Sequence, residues 1–147
     1  PNTASNVDTA FDVGFSHVDT AQAYGNEEQV GIALKESGLS RSEIWVTTKW
    51  SGRPWGNGNS IDPSTSLDES LSKLGLSHVD LYLVHTPRLF GSRENIRKGW
   101  SEIVELQKSG RTKAVGVSNF TLDDMKELVE GGEKRPEVLP AANQIEL

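Results

Sequence analysis

The sequence predicts an α/β protein whose strands form a parallel sheet, and two observations support this fold class. Short runs dense in Val, Ile, Leu and Tyr alternate with longer amphipathic segments along the chain. The short runs show little polar alternation, which is typical of strands covered on both faces. The alternation of strands and helices along the chain predicts right-handed crossovers between parallel strands. By itself it does not distinguish an open doubly wound sheet from a closed barrel.

The predicted elements follow in order along the first half of the chain. Residues 1–12 are typical of the end of a helix, and a strand follows at 15–19. We expect Asn26 to cap the next helix, which has two acidic residues in its first turn and Gly38 just past its end. A second strand is predicted at 44–49.

The second half repeats this pattern. Pro63 suits the first turn of a helix whose leucines recur at helical spacing, and Gly75 is expected to end it. Another helix is predicted over residues 94–109. Thr121 and two acidic residues open a last helix in a pattern typical of a capped start. The three remaining strands are predicted at 79–85, 112–117 and 141–146.

Composition and charge exclude several classes of function. The 147 residues carry 15 basic and 21 acidic side chains, and the net charge of -6 argues against a nucleic-acid-binding surface. The chain has no cysteine, and its three histidines match no metal-ligand spacing, so neither a disulfide framework nor a metal site is predicted. No run is apolar enough to span a membrane. The amino end lacks the pattern of a signal peptide, which predicts a cytoplasmic location.

Polar side chains lie at or just beyond the carboxyl ends of several predicted strands. In a parallel α/β sheet these ends meet at one edge, so functional groups from different strands come together there. The group as a whole is a stronger indication than any single member, because each alone also suits a loop, a cap or a surface position. The residues are Asp19, Tyr24 in the loop that follows, Lys49, His85, Ser118 and Asn119.

Four of these residues suit the reduction of a carbonyl group, which needs a proton donor at oxygen while hydride arrives at carbon. A tyrosine with a pKa of about 10 is a poor donor at neutral pH, and a neighbouring ammonium group makes such a side chain more acidic. A buried lysine needs a carboxylate partner to stay charged. A histidine can donate a hydrogen bond to the substrate oxygen and orient it. The four are Asp19, Tyr24, Lys49 and His85.

Five blocks of sequence closely resemble the motifs of the aldo-keto reductase family, in the family's order and spacing. They lie at residues 15–27, 46–49, 79–85, 115–120 and 143–146, and they span nearly the whole chain. The resemblance implies part of a (β/α)8 TIM barrel with parallel strands. The family has no Rossmann domain, which agrees with the absence of a G-x-G-x-x-G fingerprint here.

The resemblance also implies a reaction and a role for each site residue. It implies reduction of small-molecule aldehydes or ketones by NADPH. The preference for NADPH over NADH is implied only by what is usual in the family. Tyr24 is implied to be the general acid, and Lys49, paired with Asp19, to tune its acidity. His85 is implied to orient the carbonyl group. The groups implied to hold the nicotinamide carboxamide are Ser118, Asn119 and Gln144.

Two departures from the family pattern concern the substrate pocket. Many members carry a tryptophan after the histidine, where this chain has Thr86, and here Trp50 follows the lysine at once. We therefore expect a reshaped pocket, with packing beneath the loops as the alternative role for its aromatic residues. The segment from Thr86 to Arg88 also resembles fungal reductases of ketoamides or ketoesters. The candidate pocket residues are Trp50, Trp55, Thr86 and Phe90.

The resemblance further implies that residues 1–147 are one partial aldo-keto reductase domain. A (β/α)8 barrel needs about 250 residues, and by resemblance the first strand and the last two strands are absent. Unpaired strand edges predict marginal stability and self-association. The 147 residues alone are expected to be inactive or nearly so.

Other functions stay open at this stage. The same fold and cofactor pocket also suit a redox-sensing regulatory subunit with little turnover, although the intact set of Asp19, Tyr24, Lys49 and His85 argues against that role. An unrelated α/β enzyme is disfavoured by five motif blocks in order. No feature of the sequence supports a structural or storage role.

Overall fold

The computed structural model describes residues 3–52 and 62–146, which form a five-stranded parallel sheet with its helices side by side along the outer face. The strands are β1 (His17–Asp19), β2 (Trp45–Trp50), β3 (Val79–Val84), β4 (Thr112–Ser118) and β5 (Asn143–Gln144). The α-helices are α1 (Thr3–Asp12), α2 (Glu27–Glu36), α3 (Pro63–Leu74), α4 (Ile96–Lys108) and α5 (Leu122–Glu130).

The order of the strands decides between the two architectures that the alternation of strands and helices left open. The sheet runs β1-β2-β3-β4-β5, and each strand pairs in parallel with the next along the chain. A doubly wound sheet reverses its strand order at a switch point, whereas a barrel does not. The prediction of a partial (β/α)8 barrel is therefore confirmed. Within the described part, β1 and β5 are the two edge strands, and their pairing with other chains stays a prediction.

The predicted helices and strands are all present, with three local corrections. The first strand was predicted over 15–19, but β1 covers only His17–Asp19. The last strand was predicted over 141–146, but β5 has only two residues. Asn26 stands at the cap position of α2 but makes no capping hydrogen bond, because its Oδ1 accepts a bond from the Thr20 hydroxyl at 2.9 Å. The prediction at Thr121 is confirmed, since Thr121 and Asp124 form a reciprocal capping box at the start of α5.

The hydrophobic core lies between the outer face of the sheet and the helices. Trp100 of α4 and Tyr82 of β3 are the largest fully buried side chains of the described residues. The Trp100 indole donates a hydrogen bond to the Val138 carbonyl at 2.8 Å. The leucines of α3 that recur at helical spacing are buried in the same cluster. Within the described residues, no helix has both the length and the apolar character that a membrane crossing requires.

Candidate active site

The predicted site residues meet at the carboxyl end of the sheet. Asp19 ends β1, Lys49 lies one residue before the end of β2, and His85 directly follows β3. Ser118 ends β4 and is paired in register with Gln144 of β5. Parallel pairing brings all these strand ends to one edge. Polar residues that are spread along the sequence from residue 19 to residue 144 therefore lie together in the structure.

A buried lysine is the centre of this site. Lys49 is only 1% exposed, and its ammonium group forms an ion pair with Asp19 and a hydrogen bond of 3.0 Å to the Thr20 carbonyl. Two oxygen partners compensate for the removal of the charge from water. A buried positive charge therefore lies at the carboxyl end of the sheet.

Tyr24 lies above this charge. It belongs to a single 3-10 turn, Gln22–Tyr24, which ends at Gly25 in the left-handed conformation (φ 66). The Lys49 Nζ atom is 5.3 Å from the centroid of the Tyr24 ring. The His85 ring meets the Tyr24 ring edge to face, with centroids 5.8 Å apart. Tyr24 is 53% exposed, so a small molecule at the carboxyl end of the sheet can contact it.

His85 is held at both its ring and its backbone. Its Nδ1 atom lies 2.7 Å from the Ser51 hydroxyl oxygen, and its carbonyl oxygen accepts a hydrogen bond from Asn119 Nδ2 at 2.9 Å. Burial lowers the pKa of His85 below the ordinary value, and the positive charge of Lys49 lowers it further. The negative charge of Asp19 raises this pKa, but its effect is the weakest of the three. The imidazole is therefore neutral at physiological pH, with one ring nitrogen protonated.

A cluster of amide and hydroxyl groups lies at the ends of β4 and β5. The Ser118 hydroxyl donates to the Gln144 carbonyl at 2.8 Å and accepts from Asn119 Nδ2 at 3.1 Å. Asn119 has φ 59, a left-handed conformation that asparagine adopts more readily than most residues. The Gln144 side-chain amide donates to Asp19 Oδ2 at 2.8 Å, which connects this cluster to the lysine pair.

The candidate pocket residues lie in two different environments. The rings of Trp50 and Phe90 pack against each other with centroids 5.7 Å apart, and both are buried in the core cluster. Thr86 is half-buried directly after His85. Trp55 lies outside the described residues. The role of these four as pocket walls stays a prediction.

One residue of the site, Ser51, was not among the sequence candidates. Ser51 bonds to His85, and its hydroxyl also accepts the Ala23 amide at 3.3 Å, while its own amide donates to Gln22 Oε1 at 3.3 Å. Ser51 stands two positions after Lys49, just beyond the end of β2. The other candidates were chosen because they are polar residues at or just beyond the carboxyl end of a strand, and Ser51 meets the same criterion.

Comparison with known proteins identifies the family. The model of the aldo/keto reductase family matches residues 2–147. The chain belongs to this family. Among similar proteins, aldehyde reductase YPR1 of Saccharomyces cerevisiae is 40% identical over 162 residues, which cover 94% of this chain and 50% of the relative. Glycerol 2-dehydrogenase (NADP(+)) of the same yeast is 41% identical, with 95% of this chain and 50% of the relative covered.

Solved structures of aldo/keto reductases agree with the fold described above. An aldo/keto reductase from Brucella melitensis superposes with a TM-score of 0.83 at 38% identity, covering 98% of this chain and 53% of that one. The aldo-keto reductase of the silkworm Bombyx mori gives 0.83 at 33% identity, covering all of this chain and 46% of that one. The chain thus spans about half the length of the relatives it matches.

Proposed function

We propose that the whole protein carrying this chain reduces aldehydes or ketones to alcohols with hydride from NADPH or NADH, and that residues 1–147 are part of its aldo-keto reductase domain. Family membership supports this proposal. So do the names of relatives, which include an aldehyde reductase, a glycerol 2-dehydrogenase (NADP(+)) and methylglyoxal reductases. The substrate class is a small molecule with a carbonyl group.

The observation that supports the proposal most strongly is the proximity of the Tyr24 ring to both the Lys49 ammonium and the His85 ring. The Tyr24 ring lies 5.3 Å from the Lys49 ammonium and 5.8 Å from the His85 ring, measured at the centroids. In this proposal, Tyr24 gives its hydroxyl proton to the carbonyl oxygen as hydride reaches the carbonyl carbon. The Lys49 charge stabilises the phenolate that remains. His85 donates a hydrogen bond to the same oxygen and orients the substrate.

The cluster at the ends of β4 and β5 fits a nicotinamide carboxamide. That group has two N–H donors on its NH2 group and an acceptor at its carbonyl oxygen, and the cluster offers a hydroxyl and two side-chain amides, each of which can both donate and accept. We propose that Ser118, Asn119 and Gln144 hold it. The cofactor supplies the hydride when bound. An aldo-keto reductase has been solved with NADPH at 33% identity to this chain, which supports NADPH as the first cofactor to test.

The test is the Tyr24→Phe substitution in the whole protein, with Tyr82→Phe as the matched control. The Tyr82 hydroxyl is buried against Ser66, on the helix side of the sheet. With 4-nitrobenzaldehyde and NADPH, Tyr24→Phe should lose nearly all turnover and keep its cofactor affinity, which tryptophan fluorescence measures. Tyr82→Phe should keep a near wild-type rate.

Two outcomes would contradict the proposal. A near wild-type rate for Tyr24→Phe would remove Tyr24 from the role of general acid. If the wild-type protein binds NADPH but reduces no member of a panel of aldehydes and ketones, the function would be that of a redox-sensing regulatory subunit instead.

A further inference from the structure

We propose that Ser51 is a positioning residue that holds His85 in the tautomer with its proton on Nε2 and fastens the Tyr24 turn to the His85 ring. The proposal deepens the proposed function and rests on it for its catalytic consequence. Its structural part, the assignment of the tautomer, is independent of turnover.

The position of the Ser51 hydroxyl proton follows from the three neighbours of Oγ. The Ala23 amide points at this oxygen from 3.3 Å and uses one of its lone pairs. Two acceptors compete for the hydroxyl proton: His85 Nδ1 at 2.7 Å and the Lys49 carbonyl at 3.4 Å. The shorter contact lies at the optimum for a hydroxyl donor, whereas the longer one is at the limit of a hydrogen bond. The proton therefore points to Nδ1.

An accepting Nδ1 fixes the rest of the ring. A neutral imidazole carries one proton, so an Nδ1 that accepts leaves that proton on Nε2. The opposite arrangement would require Ser51 Oγ to accept from both Ala23 and His85 and to donate only across the 3.4 Å contact. Only the Nε2–H form can donate from the ring nitrogen that does not contact Ser51. That nitrogen is the one available to a carbonyl oxygen beside Tyr24.

Ser51 also sets the distance between the two groups of the site. Its backbone amide donates to Gln22 Oε1 and its hydroxyl accepts from Ala23, so two residues of the 3-10 turn that carries Tyr24 are tied to it. The third contact is the His85 ring. One residue just beyond β2 thus connects the loop after β1 to the residue after β3. Loss of the hydroxyl removes both the tautomer preference and one of these ties.

The direct test is a long-range 15N correlation spectrum of the histidine rings in the whole protein. Wild-type His85 should show a pyridine-like nitrogen at Nδ1 and a pyrrole-like nitrogen at Nε2. Ser51→Ala should give a mixture of the two tautomers, and Ser51→Thr, which retains a hydroxyl, should restore the wild-type pattern. A protonated Nδ1 in the neutral wild-type ring, or an unchanged pattern in Ser51→Ala, would overturn the proposal.

The kinetic test uses a second serine–histidine pair as its control. Ser77 contacts His78 Nδ1 at 3.3 Å on the exposed surface, so Ser77→Ala removes a similar contact far from the site. Ser51→Ala should lose roughly 3- to 10-fold in kcat, the effect of one neutral hydrogen bond, with an unchanged Kd for NADPH. Ser51→Thr should recover the rate, and Ser77→Ala should equal wild type.

Failure of this inference is distinguishable from failure of the proposed function. If the tautomer responds to Ser51 as expected but the wild-type protein reduces no carbonyl compound, the assignment of Ser51 stands and the proposed reaction is wrong. If carbonyl reduction is found but Ser51→Ala keeps both its tautomer and its kcat, the reaction stands and the role of Ser51 is wrong.

Discussion

The side chain of Gln144 on β5 donates a hydrogen bond of 2.8 Å to the carboxylate of Asp19 on β1, although these strands are the two edges of the described sheet. In a flat sheet, four strand spacings would separate them by about 19 Å. The bond therefore shows how strongly the five strands curl. It also places the proposed carboxamide site directly beside the Lys49–Asp19 pair.

This relationship gives a prediction for cofactor binding. Substitution of Gln144 by Ala should weaken NADPH binding by roughly 10-fold, because one proposed hydrogen bond to the carboxamide is lost. The kcat should change little, since the proton donor is untouched. Fluorescence titration of the whole protein measures the Kd. Gln107→Ala is the control, because Gln107 donates to the Lys113 carbonyl at 2.9 Å, at the opposite end of β4. Equal affinity in the two variants would exclude Gln144 from the cofactor site.

A second prediction concerns the buried lysine. Lys49→Met keeps much of the side-chain volume but removes the charge beside Tyr24, so kcat should fall roughly 100-fold, as when one preorganised electrostatic group is lost. The affinity for NADPH should persist, because the proposed carboxamide ligands remain. Steady-state rates with the aldehyde measure the effect, and Lys126→Met, at an exposed position of α5, is the control. A kcat within a few-fold of wild type would mean that the ammonium group does not assist the reaction.

A third prediction follows from the buried carboxylate of Asp80. Burial alone would raise its pKa, but contacts with Lys113 (2.7 Å), the Val46 amide (2.8 Å) and Arg41 (2.6 Å) outweigh burial and hold the pKa below its ordinary value. A lowered folded-state pKa contributes stability above the unfolded value of about 4, and this contribution is lost as the pH falls through the folded value.

Asp80→Asn should therefore lower the free energy of unfolding by about 1–3 kcal/mol at neutral pH. The difference from wild type should shrink as the pH falls below about 4, because Asp80 becomes protonated first in the unfolded state and then, at its lowered pKa, in the folded state. Urea unfolding at a series of pH values measures both effects. Asp123→Asn, at an exposed position in α5, should be nearly neutral. A difference that stays constant with pH would show that the charge of Asp80 is not what stabilises the fold.

A fourth prediction concerns the close approach of α2 and α3 at Gly31. A Cβ atom at Gly31 would lie 3.0 Å from the Leu74 carbonyl carbon and closer still to the Lys73 carbonyl oxygen. Both are backbone atoms, so relief requires the helices to separate. Gly31→Ala should lower stability by about 1–3 kcal/mol through overpacking, even though Ala favours a helix interior over Gly by about 1 kcal/mol.

Thermal or urea unfolding tests this prediction, with Lys35→Ala at an exposed position of the same helix as the control. Wild-type stability, or a gain, for Gly31→Ala would show that α2 and α3 move apart at little cost.

The sequence by itself determined the elements and the fold class, and it predicted most of the candidate site. Hydrophobic periodicity and turn residues predicted five strands and the helices between them, since these signals act over a few neighbouring residues. The placement of Asp19, Lys49 and His85 at strand ends predicted one functional edge, because parallel strands all end on the same side. The family motifs then selected a barrel over a doubly wound sheet.

Only the tertiary structure decided which polar groups bond to which partners. Asn26 is a good cap by residue type, yet its side chain accepts from Thr20 instead. Neither the contact of Ser51 with His85 nor that of Gln144 with Asp19 leaves a local pattern, because their partners are 34 and 125 residues away. Contacts of this kind depend on the curvature of the sheet and the orientation of each side chain, which arise only when all five strands pack together.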